Sequence, residues 1–292
     1  YAYLRIADGC DNFCTFCTIP SIRGKYRSRT IESLYAEAKF LESEGVKELI
    51  LVAQDVTSYG KDIYGDYKLI DLLRKLSELD FKWIRLMYCY PELVTDELID
   101  EIASNPKIAD YIDIPLQHVS NPVLKRMNRR SNYADICKIC DKLKEKKIAL
   151  RTTFMVGFPG ETQEDFEKLC NFVESAKFDK LGAFAYSKEE GTPAAKLKEQ
   201  VHPMTKKARY NKIMEIQQKV SEENLNKYIG KQLEVLVEGK TIDGKYYVCR
   251  SYMDVPDIDG LIYLNNSKEL KIGDFVKCTI KSSINEYDLL GE

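Results

Sequence analysis

Three cysteines lie close together near the start of the chain, in the stretch DGCDNFCTFC. Cys10, Cys14 and Cys17 have the spacing C-x3-C-x2-C, and the next cysteine along the chain is Cys89. Three thiolates on one tight loop can hold three corners of a four-iron cluster, whereas a closed structural zinc site takes four protein ligands. The spacing therefore predicts a [4Fe-4S] cluster with one iron left open for chemistry. A zinc site completed by a distant ligand such as His118 is the alternative.

The composition excludes several classes of protein. The chain has 292 residues, of which 44% are hydrophobic, and this is enough for a sizeable core and more than one domain. The formal net charge of −2 provides no general attraction to nucleic acid. Nine cysteines with one tight cluster indicate reduced, metal-binding chemistry and not a disulfide scaffold. No segment approaches the roughly 20 apolar residues of a membrane-spanning helix, so we expect a cytoplasmic protein with no membrane contact.

Strands and helices alternate in the part of the chain that must position the cysteine loop. Six strands are predicted from short apolar runs at 1–7, 47–53, 83–88, 111–116, 149–157 and 180–187. The segments between them have helical periodicity, as in the spacing of Phe166, Leu169, Phe172 and Val173. This order is typical of a parallel sheet, so the predicted fold class is α/β, a partial (β/α)6 TIM-like barrel.

Several polar motifs follow these strands directly. The cysteine loop follows the first strand, and QDVTSYG, MYCYPE, QHVS and GFPGE follow later ones. Because parallel barrels carry their chemistry at the carboxyl ends of the strands, we expect these motifs to share one mouth. Two basic runs belong to the same region, with members Arg23, Lys25, Arg27, Arg29 and Lys125, Arg126, Arg129, Arg130. They predict either a solvated face or a rim that favours an anionic target.

A change of composition near residue 200 predicts a second unit. One long charged helix is expected after Pro203, ending at Gly230. Four short β-rich runs broken by Gly, Asp and Asn follow, and they predict a small all-β barrel. The predicted division is therefore a partial barrel at 1–202, a linking helix at 203–227 and a β-barrel at 228–292.

The motifs resemble the methylthiotransferases of the radical S-adenosylmethionine (SAM) superfamily. The similar segments are RIADGCDNFCTFCTIPSIRGKYRSR, LVAQDVTSYG, IPLQHVSNPVLKRMNRR, MVGFPGET and YSKEEGTPA. The resemblance covers essentially the whole chain and implies that the C-terminal barrel is a substrate-binding TRAM domain. It also implies that SAM binds the open iron of the cluster and is cleaved by one electron. Such enzymes insert sulfur at an unactivated C–H bond and then methylate it.

Four residues are candidate contacts of the cofactor, the first two by the resemblance and the other two by position and residue type, and no catalytic residue is assigned. Phe16, before the third cysteine, would lie against the adenine of SAM. Gln54 would contact the methionine amino group, with a plain strand-end polar residue as the alternative. Gln117 is a candidate contact beside His118, with a structural role as the alternative. Arg151 would pair bidentately with the methionine carboxylate, or else form a buried structural ion pair.

Two branches of this family differ in substrate. One modifies an adenosine of transfer RNA, and the other, the RimO type, modifies the β-carbon of an aspartate in ribosomal protein S twelve of the small subunit. WIRLMYCYPE (83–92) and SYMDVPDIDGLIYL (251–264) resemble the aspartate branch. Residues 228–292 contain eight Lys and Arg against eleven Asp and Glu, a net charge of −3. An acidic module suits a basic ribosomal protein better than RNA. The transfer RNA branch and a non-enzymatic zinc-binding module that contacts RNA or protein remain alternatives.

The resemblance implies further partners. Full-length members carry an N-terminal domain with three cysteines for an auxiliary [4Fe-4S] cluster, whereas Cys10 lies close to the start of this chain. We therefore expect a fragment that holds the radical SAM and TRAM domains, cleaves SAM once reduced, and does not complete methylthiolation. A flavodoxin- or ferredoxin-type electron donor and the ribosomal protein substrate are the expected partners.

Overall fold

The computed structural model describes residues 1–265 and 268–292, and strands alternate with helices along its first 226 residues. In chain order these elements are β1 (Ala2–Arg5), β2 (Ala7–Asp8), α1 (Ile19–Arg23), β3 (Arg27–Ser28), α2 (Ile31–Ser43), β4 (Glu48–Val52), α3 (Lys61–Tyr64), α4 (Leu69–Leu76), β5 (Trp83–Leu86), α5 (Asp96–Ser104), β6 (Ile108–Gln117), α6 (Asn121–Arg126), α7 (Tyr133–Glu145), β7 (Ala149–Val156), α8 (Gln163–Ala176), β8 (Lys180–Ala185) and α9 (Pro203–Asn226).

Six of these strands form one parallel sheet in the order β1-β4-β5-β6-β7-β8. The register pairs Leu4 with Leu51 and Leu51 with Leu86, so neighbouring strands follow the order of the sequence. Helices cross between successive parallel strands, which places all the carboxyl ends at one edge. The strands β1 and β8 are the two edges of the sheet. The predicted partial six-stranded α/β barrel is confirmed.

The two faces of the sheet pack against different partners because side chains alternate along a strand. Leu51, Leu86 and Phe154 belong to the main core, which also contains the inner faces of the helices. The predicted apolar face of α8 is part of that core. Ile50 and Trp83 belong to a second buried cluster, which they share with the C-terminal barrel.

The long helix α9 begins at Pro203 as predicted, with His202 as its N-cap. It ends at Asn226 and not at the expected Gly230. The reason is that residues 227–230 form a turn, from which the Gly230 N–H donates to the Ile280 carbonyl oxygen at 2.8 Å. Gly230 has φ +80°, a conformation that favours glycine, and it leads the chain into the next unit.

The C-terminal unit is a closed β-barrel, as the composition predicted. Its described strands are β9 (Gln232–Lys240), β10 (Tyr247–Ser251), β11 (Ile262–Leu264), β12 (Phe275–Ser283) and β13 (Leu289–Gly291), joined in the order β10-β11-β13-β12-β9. The sequence patterns missed β13, which has only three residues after a polar turn. A Cβ added at Gly291 would collide with the Cys278 sulfur, so a larger residue would fit only if that buried side chain moved. The division at residues 202 and 228 stays a prediction.

A buried ion cluster joins the barrel to the sheet. The Glu48 carboxylate accepts hydrogen bonds from Arg85 Nε and Arg250 Nη2, each at 2.6 Å, and all three side chains are fully buried. Lys180 Nζ also lies 2.7 Å from the Asp254 carboxylate of the barrel. Glu48 and Lys180 are the first residues of their strands, so these contacts hold the barrel at the amino ends of the strands. The carboxyl ends are left for the cysteine loop.

Candidate metal centre and cofactor site

The cysteine loop connects β2 to α1 and is shaped by backbone contacts. The Cys10 N–H donates to the Gly24 carbonyl oxygen at 3.2 Å, and the Thr15 N–H donates to the Met127 carbonyl oxygen at 3.1 Å. Gly9 has φ +82°, and a Cβ at this position would collide with the Lys25 carbonyl oxygen. Only glycine therefore allows the loop to turn this tightly against residues 24 and 25.

Each of the three half-buried thiols lies within reach of a hydrogen-bond donor. Asn12 Nδ2 lies 3.5 Å from the Cys10 sulfur, and the Ile19 N–H donates to the Cys17 sulfur at 3.4 Å. Arg129 Nη1 lies 3.7 Å from the Cys14 sulfur. Burial raises the pKa of Cys10 and of Cys17. Burial therefore favours the protonated thiol, whereas a bound metal favours the thiolate, because the thiolate is the form that coordinates.

The donor set fits a cluster held by three protein ligands. Among residues 1–265 and 268–292, no three His, Cys, Asp or Glu side chains lie close enough together to hold a metal ion, and this includes the three thiols of the loop. The three thiols share one loop, and a cluster would have to draw them together. Three soft thiolates on one loop are the ligands that iron–sulfur clusters prefer.

His118 gives no support to the zinc alternative. Its side chain is fully buried, and its Nδ1 accepts the Ser120 N–H at 2.9 Å. Burial lowers the pKa of His118 to about 3, so the ring is neutral at physiological pH. The charged groups that act on it are those of Asp165, Arg209 and Lys168, on α8 and α9. The charged neighbours of His118 therefore belong to the outer helices α8 and α9.

Phe16, Gln54 and Gln117 lie on segments at or beyond the carboxyl edge of the sheet. Phe16 is half-buried and packs edge-on against Phe158, with 6.3 Å between ring centroids. Gln54 lies two residues beyond β4, and its Oε1 is buried without a partner among the described residues. Gln117 ends β6 with φ +68°. The free oxygen of Gln54 is an acceptor suited to an ammonium group, and the three cofactor roles stay predictions.

Arg151 lies away from this edge. It is the third residue of β7, and its Nη1 is 3.4 Å from the Asp113 carboxylate. Its Nε is 3.5 Å from the carboxylate of Asp259, in the loop that precedes β11. These two partners favour the alternative of a structural ion pair. The geometry gives no support to a contact between Arg151 and the methionine carboxylate.

Backbone strain is concentrated around the mouth. Four residues other than glycine have positive φ angles there: Phe13, Tyr88, Gln117 and Asn128. Asn128 Nδ2 donates to the Phe13 carbonyl oxygen at 3.0 Å, so two of these residues support each other. Such conformations persist only where the surroundings impose them, and they cluster at functional sites.

A network that the sequence did not predict supports the loop. The buried carboxylate of Asp55 accepts from Asn12 Nδ2 at 2.8 Å and from the Thr57 N–H at 3.0 Å. Thr57 Oγ1 in turn accepts the Tyr90 N–H at 3.0 Å. Asp55 and Tyr90 belong to the motifs QDVTSYG and MYCYPE, and Arg129 to a basic run. The sequence signal for Asp55 and Tyr90 was their position directly after strands. Which side chains they contact depends on the fold.

Comparison with known families gives two matches on this chain. The radical SAM superfamily matches residues 4–173, and the TRAM domain matches residues 229–292. Within the described residues, no helix has the length and apolar character that crossing a membrane requires.

The chain is similar along its whole length to curated proteins named "Ribosomal protein uS12 methylthiotransferase RimO". The protein from Alkaliphilus oremlandii is 53% identical over 295 residues, covering 100% of this chain and 67% of the relative. The protein from Thermoanaerobacter sp. has the same identity and coverage. The protein from Acetivibrio thermocellus is 50% identical, and the chain covers 65% of it. The chain thus spans about two thirds of the length of these relatives.

Two solved structures share the fold at low sequence identity. The radical SAM methyltransferase TsrM from Kitasatospora setae has a TM-score of 0.56 and 17% identity, covering 66% of this chain and 38% of that one. Coproporphyrinogen III oxidase (HemN) from Escherichia coli has a TM-score of 0.55 and 15% identity, covering 86% and 66%. These similarities concern the fold alone.

Proposed function

Because the chain belongs to the radical SAM superfamily and to its methylthiotransferase family, we propose that it carries out radical SAM chemistry for methylthiolation of ribosomal protein uS12. The target is the β-carbon of an aspartate. The observation that carries this proposal is the 53% identity to RimO proteins over the entire chain. The relatives named above are RimO proteins, and this favours uS12 over transfer RNA as the substrate. An auxiliary cluster and a flavodoxin- or ferredoxin-type electron donor stay predictions.

The cysteine loop is the proposed cluster site. Cys10, Cys14 and Cys17 would hold a [4Fe-4S] cluster through three thiolates, which would leave one iron without a protein ligand and available to SAM. Cluster and SAM together supply a carbon-centred radical able to remove a hydrogen atom from an unactivated C–H bond. Phe16 would pack against the adenine, and Gln54 Oε1 would accept a hydrogen bond from the methionine ammonium group. Gln117, the last residue of β6, is the third proposed contact with the cofactor.

The C-terminal barrel is the proposed binding surface for the ribosomal protein. Residues 228–292 carry a net charge of −3. Three of their charged side chains, those of Arg250, Asp254 and Asp259, are buried in the contact with the sheet and together contribute −1. The surface that remains is acidic. An acidic surface attracts a basic protein and repels RNA phosphates.

Iron binding and SAM cleavage test the first part of the proposal. After anaerobic reconstitution with iron and sulfide, we expect about four irons per chain. After reduction, we expect 5′-deoxyadenosine from SAM. Cys14→Ala should abolish both, whereas Cys137→Ala, in α7, should preserve both. A colourless protein with about one zinc per chain would contradict the proposal.

Binding measurements with uS12 and with transfer RNA test the proposed substrate. We expect purified uS12 to bind the chain, and charge-reversing lysine substitutions on the barrel surface, such as Glu286→Lys, to weaken binding. Gln218 on α9 contacts Glu286, so Gln218→Ala is the matched control for loss of that hydrogen bond alone. Tight, strongly salt-dependent binding of transfer RNA through the barrel, without uS12 binding, would favour the transfer RNA alternative.

A further inference from the structure

Arg129 reaches the cysteine loop from the turn that follows α6. Its Nη1 lies 3.7 Å from the Cys14 sulfur, and its Nη2 donates to the Pro115 carbonyl oxygen at 2.8 Å. The guanidinium lies 4.0 Å from the centre of the Tyr90 ring. The residue is 7% exposed, and its contacts with Pro115 and Tyr90 do not involve the thiol, so they hold the cation beside Cys14 even when the thiol turns toward a cluster. Its Nε is buried without a partner among the described residues.

Tyr90 approaches the same sulfur from a second direction. Its hydroxyl oxygen is 3.7 Å from the Cys14 sulfur, and its ring is 8% exposed beside the guanidinium of Arg129. Its backbone N–H is held by Thr57, whose own N–H is bound by the buried Asp55. Tyr90 is therefore supported by the network that also holds Asn12.

The three cysteines differ in the charge of their donors. Cys10 lies near a neutral amide and Cys17 receives a neutral backbone N–H, whereas Cys14 faces a guanidinium and a hydroxyl. Hydrogen bonds from charged donors are about twice as strong as neutral ones. Hydrogen bonds to the sulfurs and the burial of a cluster set its reduction potential. Among the described contacts, the Cys14 sulfur is the one that faces a charged donor.

We propose, resting on the proposed function, that Arg129 and Tyr90 are positioning residues that orient Cys14 and raise the reduction potential of the cluster. One electron passes from a one-electron donor, dithionite in the test below, to the cluster, and no bond forms or breaks. The reduced cluster has one more negative charge, which a nearby buried cation stabilises. Low exposure limits the screening of this interaction by salt.

The test is a redox titration of the reconstituted chain without SAM, followed by electron paramagnetic resonance. Arg129→Met removes the cation and keeps an unbranched side chain, and Tyr90→Phe removes only the hydroxyl. Arg130→Met, at the exposed neighbouring position, removes the same charge and is the matched control. At fixed potential we expect the ratio of reduced to oxidised cluster to fall about tenfold in Arg129→Met, a shift of about 59 mV. Tyr90→Phe should shift in the same direction by less, and Arg130→Met should not shift.

Iron content separates the possible outcomes. If both substituted chains hold about four irons and their potentials equal that of Arg130→Met, the proposal is wrong. If Arg129→Met loses iron, the proposal is tested instead with Tyr90→Phe and the charge-conserving Arg129→Lys. A reduction potential that falls in Tyr90→Phe, and changes less in Arg129→Lys than in Tyr90→Phe, supports the proposal. Unchanged potentials in both variants overturn it. An unsubstituted chain that binds no iron would instead overturn the proposed function itself.

Discussion

Replacing Glu48 by glutamine tests the buried ion cluster between the sheet and the C-terminal barrel. The Glu48 carboxylate is fully buried and accepts from Arg85 Nε and Arg250 Nη2, each at 2.6 Å. Burial alone opposes the charge on Glu48, but the two guanidinium groups outweigh it and lower its pKa. Glutamine keeps the shape of the side chain and removes its negative charge. Its NH2 group, itself a donor, then faces one of the two arginine donors. Both buried cations lose their shared counter-charge.

The expected cost follows from the burial of all three groups. Removing one partner of a buried ion pair typically destabilises a protein by about 3–5 kcal/mol. We expect Glu48→Gln to lower the free energy of unfolding by that amount. Glu234→Gln is the matched control, because Lys82 and Glu234 also link the sheet to the barrel, with Nζ 2.9 Å from Oε2. Their side chains are 45% and 42% exposed, so the control should cost less than about 1 kcal/mol.

The assay can read the interface directly. Trp83 is the single tryptophan of the chain, and its ring packs edge-on against Phe275 of the barrel at 4.7 Å between centroids. Urea unfolding followed by tryptophan fluorescence therefore reports on the contact between the two units. Glu48→Gln should move the midpoint to lower urea, and Glu234→Gln should leave it nearly unchanged. Equal losses below about 1 kcal/mol in both variants would refute the reasoning.

Two further substitutions test other features of the chain. His118→Asn should make the stability of the protein less sensitive to acid. Burial lowers the pKa of His118 from 6.5 to about 3, so between these two values only the unfolded chain gains a proton. At pH 5 this lowers the free energy of unfolding by about 2 kcal/mol. Urea unfolding at pH 8 and pH 5 should show a smaller difference in His118→Asn but not in His202→Asn, an exposed histidine; equal differences would contradict this. Gly9→Ala should abolish iron binding, since its Cβ collides with backbone. Gly45→Ala, with positive φ but open space, should cost only about 1–2 kcal/mol of stability and retain about four irons; iron retention by both would contradict the collision argument.

Much of the fold was predictable because hydrophobic periodicity is a local property. The spacing of Phe166, Leu169, Phe172 and Val173 predicted the buried face of α8, and the structure confirms it. The order of strands followed from their alternation with helices. Periodicity failed where elements are short, as at β13, and where a turn replaces the end of a helix, as at residues 227–230.

The sequence by itself determined the three-cysteine loop, because Cys10, Cys14 and Cys17 are so close along the chain that any fold keeps them on one loop. Only the tertiary structure decided which side chains surround that loop. Cys14 and Arg129 are 115 positions apart, Asn12 and Asp55 are 43 apart, and Glu48 and Arg250 are 202 apart. Contacts over such separations depend on how strands pack side by side, and residue type does not encode them. For the same reason Arg151, suited by its chemistry to bind a carboxylate, pairs with carboxylates of the protein itself.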